Sequence, residues 1–190
     1  MFIRFACWNA LALTLTIIIL VGFLPFGIQT TAINNQALLE IYVIDVGQGD
    51  STLIISPTNI TMLIDGGNDG CGNNTILPLL NTLGITSLNY IVVTHYHEDH
   101  IGGLDEVINA IGITDYVYDR GYSYTTPAYQ DYVKAASNKR KTITDGEIID
   151  LGGGAIAKCV SVNGNGVVDP TTASENDLCI ALVITFGYFD

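Results

Sequence analysis

Apolar and polar positions divide the chain into short blocks with two different periods. From Ala37 onward, Leu39 to Asp45, Ser51 to Ile55 and Thr61 to Asp65 are apolar runs separated by Gly or by Pro and Asn. That punctuation predicts three strands in an antiparallel meander. In "TILPLLNTLG" the period changes: Ile76, Leu79, Leu80 and Leu83 recur at helical spacing and Gly84 closes the run. "LNYIVVTH" predicts a buried strand, and Leu104, Val107, Ile108 and Ile111 share one face of a helix over Leu104 to Ile111. Beyond it, Asp115 to Tyr118 reads as a strand, Tyr122 to Tyr129 as a tyrosine-rich loop and Gln130 to Ser137 as a helix. Glu147 to Leu151, Ala155 to Val162 and Leu178 to Phe186 read as strands. Strands first, then strand and helix in alternation, specify an α/β (α+β) layered domain without repeats or an internal linker.

The first thirty-two residues follow neither period. Met1 to Arg4 is a short positive start, Phe5 to Phe26 is an apolar run broken by Asn9 and threonines, and Gln29-Thr30-Thr31-Ala32 offers the small residues a signal peptidase reads. Residues 1–32 are therefore read as a signal peptide, with residues 33–190 as the folded domain. The alternative is an N-terminal membrane anchor, since about twenty apolar residues suffice to cross a bilayer. Either reading places the rest of the chain outside the cytoplasm, with membrane contact only if the leader is uncleaved.

Composition sharpens this picture. With 48% hydrophobic and 14% charged residues the chain can bury a core, which excludes a disordered segment. Loss of Arg4 with the leader takes the net charge from −12 to −13, and such a surface repels polyanions, so long nucleic acid is disfavoured as a partner. The remaining basic residues all lie between Arg120 and Lys158. Their contiguous trio, Lys139-Arg140-Lys141, is read as a solvated turn in preference to an anion-binding face. After cleavage Cys71, Cys159 and Cys179 remain, an odd number for an oxidising compartment. Cys179 lies in an apolar run and reads as a core residue, which makes Cys71 with Cys159 the preferred pair.

All three histidines of the chain lie in "HYHEDH". His95 and His97 leave a strand in extended chain, where side chains two apart point the same way, so two imidazoles can meet one ion. Asp99 and His100 follow at once, before Gly102-Gly103, where the backbone can turn tightly, and can face a neighbouring ion. Imidazole and carboxylate donors suit Zn²⁺, with Mn²⁺ or Fe as alternatives. Two ions about 3.5–4 Å apart would lower the pKa of a bridging water and supply hydroxide at neutral pH. Asp99 is the candidate catalytic group that orients that water or takes its proton, while Glu98 points away. A G-x-S-x-G elbow is missing, and "GCGNN" and "NGNGVVD" read as turns.

"TMLIDGG" followed by "YIVVTHYHEDHIGGLDEV" resembles the metallo-β-lactamase fold hydrolases. "VIDVGQGDSTLI" is similar to the branch that includes the extracellular domain of ComEC-type DNA-uptake proteins. The resemblance runs from about Leu39 to the C-terminus and implies a four-layer αββα sandwich with two zinc ions at one edge. It implies that His95 and His97 hold the first ion, that Asp99 and His100 hold the second, and that Asp65 aims the histidine loop. Asp45, Gln48, Gly49, Asp50 and Ser51 would form a loop beside the site. The family usually adds a later His, a bridging Asp in a Gly-Asp pair and a last His. None of these histidines is in the sequence, Asn163 stands near the first as a weak ligand, and the chain is read as ending inside the second half of the sandwich. The function implied is a secreted, metal-dependent hydrolase of phosphodiesters or related esters, acting on a small molecule or short single strand. A β-lactamase of the same fold and a non-catalytic binding or scaffold domain with a degenerate site are the alternatives.

Overall fold

The computed structural model describes residues 38–189 and, as backbone, residues 2–6. The leader read over residues 1–32 lies outside the described residues except at β1 (Phe2–Ala6), which runs antiparallel to β2 (Leu38–Val43). β2, β3 (Thr52–Ile55) and β4 (Thr61–Ile64) form the predicted antiparallel meander, with Tyr42 opposite Leu53 and Leu53 opposite Leu63. β5 (Leu88–Val92), β6 (Ile113–Asp119) and β7 (Arg140–Thr142) then add in parallel, giving the order β1-β2-β3-β4-β5-β6-β7.

Parallel neighbours need crossovers, and each crossover here carries a helix. α1 (Leu77–Thr82), extended at its start by a π-helical turn over Gly72–Ile76, joins β4 to β5. α2 (Glu98–Ile101) and α3 (Leu104–Ile111) join β5 to β6, and α4 (Pro127–Ala136) joins β6 to β7. α3 covers the range its apolar period predicts. α4 starts three residues earlier than predicted, because the Thr126 side chain accepts the Tyr129 N–H and Pro127 takes the first helical position.

The alternating faces of the large sheet feed two cores. Leu53, Leu63, Ile91 and Val117 pack under the helices with Leu80, Leu104, Val107 and Tyr132. Leu39, Ile54, Met62, Val92 and Tyr118 pack instead against a second sheet, order β10-β9-β8, made by β8 (Ile148–Gly152), β9 (Ala155–Ser161) and β10 (Ala181–Phe186). Ile149, Leu151, Ala155, Ala157 and Cys159 are its inward residues. Among the described residues the layers are therefore helix, sheet, sheet. Among the described residues no helix covers the outer face of the second sheet, where Ile148, Val160 and Val183 are exposed, so over these residues the αββα sandwich is incomplete.

Three expectations need correction. The Lys139-Arg140-Lys141 trio is not a solvated turn: it runs into β7, and each cation finds a local acceptor. Arg140 Nε lies 2.7 Å from Asp119 Oδ2, Lys141 Nζ 2.8 Å from Glu147 Oε1 and Lys139 Nζ 2.7 Å from the Thr114 carbonyl. Cys71 and Cys159 are free thiols, because Cys71 sits beside Val46 on the helix-covered side of the large sheet while Cys159 is buried between the sheets. The buried core cysteine is thus Cys159, whereas Cys179 is half-buried after a 3₁₀ turn (Glu175–Leu178) that replaces the start of the strand predicted from Leu178.

Candidate metal centre

The chain leaves β5 at Val92 and runs extended through His97, which caps α2 with φ −68° and ψ 147°. The helical turn of α2 then folds His100 back over the strand end. The His95 and His97 rings lie 4.9 Å apart edge-on, and the His95 and His100 rings lie 4.0 Å apart. Both other imidazole rings thus lie close to His95.

Asp65 anchors this arrangement from the end of β4. It is buried, with a left-handed φ of 57° that Asp tolerates better than most residues. Its Oδ1 accepts the Thr94 N–H at 2.8 Å, and its Oδ2 accepts the Thr94 hydroxyl at 2.5 Å and His100 Nδ1 at 2.8 Å. Thr94, which sequence reading passed over, decides a tautomer. A hydroxyl has one proton, and that proton goes to Asp65, so toward His95 Nδ1, 3.0 Å away, the oxygen can only accept. His95 therefore carries its proton on Nδ1 and leaves Nε2 free, as does His100 through its bond to Asp65.

Electrostatics act differently on each donor. Burial, helped by the neighbouring His100 and His97, lowers His95 to about 4, so it is neutral at physiological pH. Burial pushes His100 down, but the hydrogen bond and charge of Asp65 more than offset it and the net shift is upward. Burial raises Asp65 itself, against the hydrogen bonds from His100 and Thr94. Asp99 is nudged up by burial, yet Gln48 and the charges of His100 and His97 bring it below the usual carboxylate range.

The "GQGD" loop lies against the far side of α2. Gln48 Nε2 donates to Asp99 Oδ2 at 3.2 Å, the Asp50 N–H donates to the Asp99 carbonyl at 3.3 Å, and Ser51 Oγ donates to the Asp65 carbonyl at 3.1 Å. Gly49, at φ +101°, passes so close that a Cβ would stand 1.8 Å from the Asp99 oxygen. Asp50 Oδ2 is 3.9 Å from His100 Nδ1, whereas Asp45 caps its own turn at the Gly47 N–H. Gly102 and Gly103 serve close approach and not a left-handed turn: their φ values are −59° and −89°, and Cβ atoms there would stand 2.3 Å from the Asp69 nitrogen and 2.5 Å from the Gly66 oxygen.

Asn163 is engaged elsewhere, its amide donating to the Arg120 carbonyl at 2.9 Å and accepting from Arg120 Nη1 at 3.4 Å. Glu98 is exposed. Among the described residues no three His, Cys, Asp or Glu side chains converge as a ready cradle for an ion. The donor chemistry nonetheless fits a divalent metal: neutral His95 and Asp65-bound His100 each present Nε2, and Asp99 is ionised.

Residues 44–170 match the family model described as the Metallo-beta-lactamase superfamily. The chain belongs to that superfamily. Over 91 residues it is 32% identical to competence protein ComA of Neisseria gonorrhoeae, a stretch that is 48% of this chain and 13% of the relative. Over 85 residues it is 28% identical to ribonuclease Z of Metallosphaera sedula, covering 41% of this chain and 28% of the relative. The chain thus spans less than a third of the length of either relative. A metallo-beta-lactamase structure from Cronobacter sakazakii, a HARLDQ motif mutant, shares the fold at a TM-score of 0.52 and 17% identity, over 78% of this chain and 57% of that one. The competence-protein relative agrees with the branch resemblance carried by "DVGQGDS".

Proposed function

We propose that this metallo-beta-lactamase superfamily domain is an extracytoplasmic, metal-dependent hydrolase of a phosphodiester or related ester. The observation that supports the reading is the approach of the His97 and His100 rings to His95, with Nδ1 of His95 and of His100 each engaged by the protein, which leaves Nε2 of each free to ligate. His95, His97, Asp99 and His100 would hold zinc, with Mn²⁺ or iron as alternatives, and a bound ion would supply hydroxide at neutral pH. Asp99, held by Gln48 and shifted below the usual carboxylate range, would orient a nucleophilic water or accept its proton. Asp65 and Thr94 fix the ring orientations on which that chemistry depends.

Charge and relatives together support the proposed substrate class. A net charge of −12 disfavours long polyanions, whose phosphates each need a cation, and favours a small or short single-stranded ester. The likeness to a ribonuclease Z supports phosphodiesters. Location outside the cytoplasm rests on reading residues 1–32 as a leader and on the competence-protein relative; among the described residues no helix is long and apolar enough to cross a membrane. The non-catalytic reading draws on the lack of three converging donors among the described residues.

One assay separates these. Purified protein is expected to bind zinc and to hydrolyse a chromogenic phosphodiester only with Zn²⁺ or Mn²⁺ present, and His97→Ala is expected to reduce turnover to background. Zinc binding without turnover of any ester would leave a binding domain, turnover of a β-lactam alone would select the β-lactamase reading, and neither would leave a scaffold.

A further inference from the structure

The histidine loop is held by a second buried carboxylate that no motif announces. Glu175 comes from the 3₁₀ turn before β10 and is buried together with Arg120, the residue that follows β6. Its Oε1 accepts Arg120 Nε at 2.9 Å and the Tyr96 N–H at 2.9 Å, and its Oε2 accepts Arg120 Nη2 at 2.5 Å. Tyr96 is the residue between His95 and His97. Five residues after Glu175, the Ile180 N–H donates to the Thr94 carbonyl at 2.9 Å, so one segment grips the loop on both sides of His95.

Arg120 completes the grip. Its guanidinium lies 4.6 Å from the centre of the Tyr96 ring while it forks onto Glu175, so both the amide and the ring of Tyr96 are fixed by one ion pair. The Tyr96 hydroxyl is the single buried side-chain polar atom without a partner among the described residues. The ring is therefore placed by packing and not by its hydroxyl.

We infer that Glu175, oriented by Arg120, is a positioning residue for the candidate metal centre: through the Tyr96 amide it sets the path of residues 94–97 and with it the separation of the His95 and His97 rings. The inference rests on the reading of those histidines as ligands. It differs from a stabilising ion pair in one respect: Glu175 Oε1 divides its lone pairs between the guanidinium and the loop, so the hold on Tyr96 survives only if an acceptor stands there. Charge is needed to keep Glu175 in place, whereas an oxygen is needed to keep the loop in place.

Paired variants separate those two needs. Arg120→Met strands a buried carboxylate, so both comparison variants carry it: Arg120→Met/Glu175→Gln retains an amide oxygen for the Tyr96 N–H, and Arg120→Met/Glu175→Leu removes the acceptor at similar volume. Zinc Kd by chelator competition, melting temperature, and the backbone amide cross-peaks of His95 and His97 are read on the full chain. The Leu variant is expected to bind zinc about ten- to a hundredfold more weakly than the Gln variant at a matching melting temperature. Its His95 and His97 cross-peaks are expected to move, and those of the Gln variant to stay near the wild-type positions. Equal zinc affinities in the two variants overturn the inference. If the wild type binds no zinc, the hydrolase reading fails and the cross-peaks alone decide; unmoved peaks in the Leu variant overturn the positioning role. Should the Leu variant not fold, Glu175→Asp takes its place, keeping the charge but shortening the reach, with zinc binding expected to weaken in the same direction.

Discussion

Two buried carboxylates hold one loop, and they do so on different electrostatic terms. Asp65 reaches Thr94 and His100 from the end of β4, and its ring partner is an imidazole that belongs to the candidate site. Glu175 reaches Tyr96 from the turn before β10, and its partner is a guanidinium that lies outside the histidine cluster. The Asp65 end of the loop therefore responds to whatever happens at the histidines. The Glu175 end does not, and acts as the fixed wall against which the other end is tuned.

Stripping the fixed wall is expected to have the largest effect on folding. Arg120→Met leaves Glu175 buried without a counter-charge, an arrangement that costs about 3–5 kcal/mol. For a chain of this size that corresponds to a fall in melting temperature of roughly 10 °C. Adding Glu175→Leu is expected to recover most of the loss, since an apolar pair of similar volume is often as stable as a buried ion pair. A fall of only a degree or two for the single variant would show that water reaches the pair, and the contrast with Asp65 would disappear.

Asp65→Asn probes the responsive end and is expected to act on metal more than on folding. The amide keeps an oxygen for the Thr94 N–H, but its NH₂ opposes the Thr94 hydroxyl proton and His100 Nδ1–H. With both rings freed to turn, zinc affinity is expected to drop about ten- to a hundredfold, the range typical for lost partners of metal-bound histidines. Isothermal titration reads the affinity. A melting temperature that falls as far as in Arg120→Met, with zinc binding intact, would make Asp65 the structural wall instead.

The two ends also differ in how legible they are in the sequence. Asp65 stands in "LIDGG" at the end of an apolar strand, and His95 to His100 follow another, so local pattern points to both. Leu104 to Ile111 could be read to the residue because a single apolar face sets the helix. Glu175 lies in "SENDLC", a polar stretch whose composition reads as a turn, and its partners are 79 and 55 residues away. Periodicity carries no information about pairs at that distance. The same blindness explains Lys139-Arg140-Lys141: three adjacent cations look solvated until Asp119, Glu147 and Thr114, each brought in by another element, turn out to face them. Thr94 escaped for the opposite reason, since a hydroxyl beside a histidine has no signal until its proton is assigned.

An exposed pair shows how much of the contrast is due to burial. Lys141 and Glu147 meet at 2.8 Å, the same chemistry as Arg120 with Glu175, but the Lys141 side chain is 43% exposed. Solvent screening limits such a pair to about 0.2–1 kcal/mol, so Lys141→Met is expected to lower the melting temperature by only a degree or two at pH 7. The pH dependence fixes the cause. Burial nudges Glu147 upward, but the bonds from Lys141 and Thr144 outweigh it and hold Glu147 below 4.5, so its contribution is present above that pH and is lost as pH falls through the depressed value. Lys141 is raised above 10.5, chiefly by the bond to Glu147, so its contribution is present below that pH and is lost as pH rises through the raised value. Between those limits the pair is intact, and the difference between wild type and Lys141→Met is expected to shrink on going from pH 7 to about pH 3. A difference that persists at pH 3 would assign the effect to the Tyr116 and Tyr118 rings, 5.3 and 5.0 Å from the ammonium, because their attraction for the cation does not depend on Glu147.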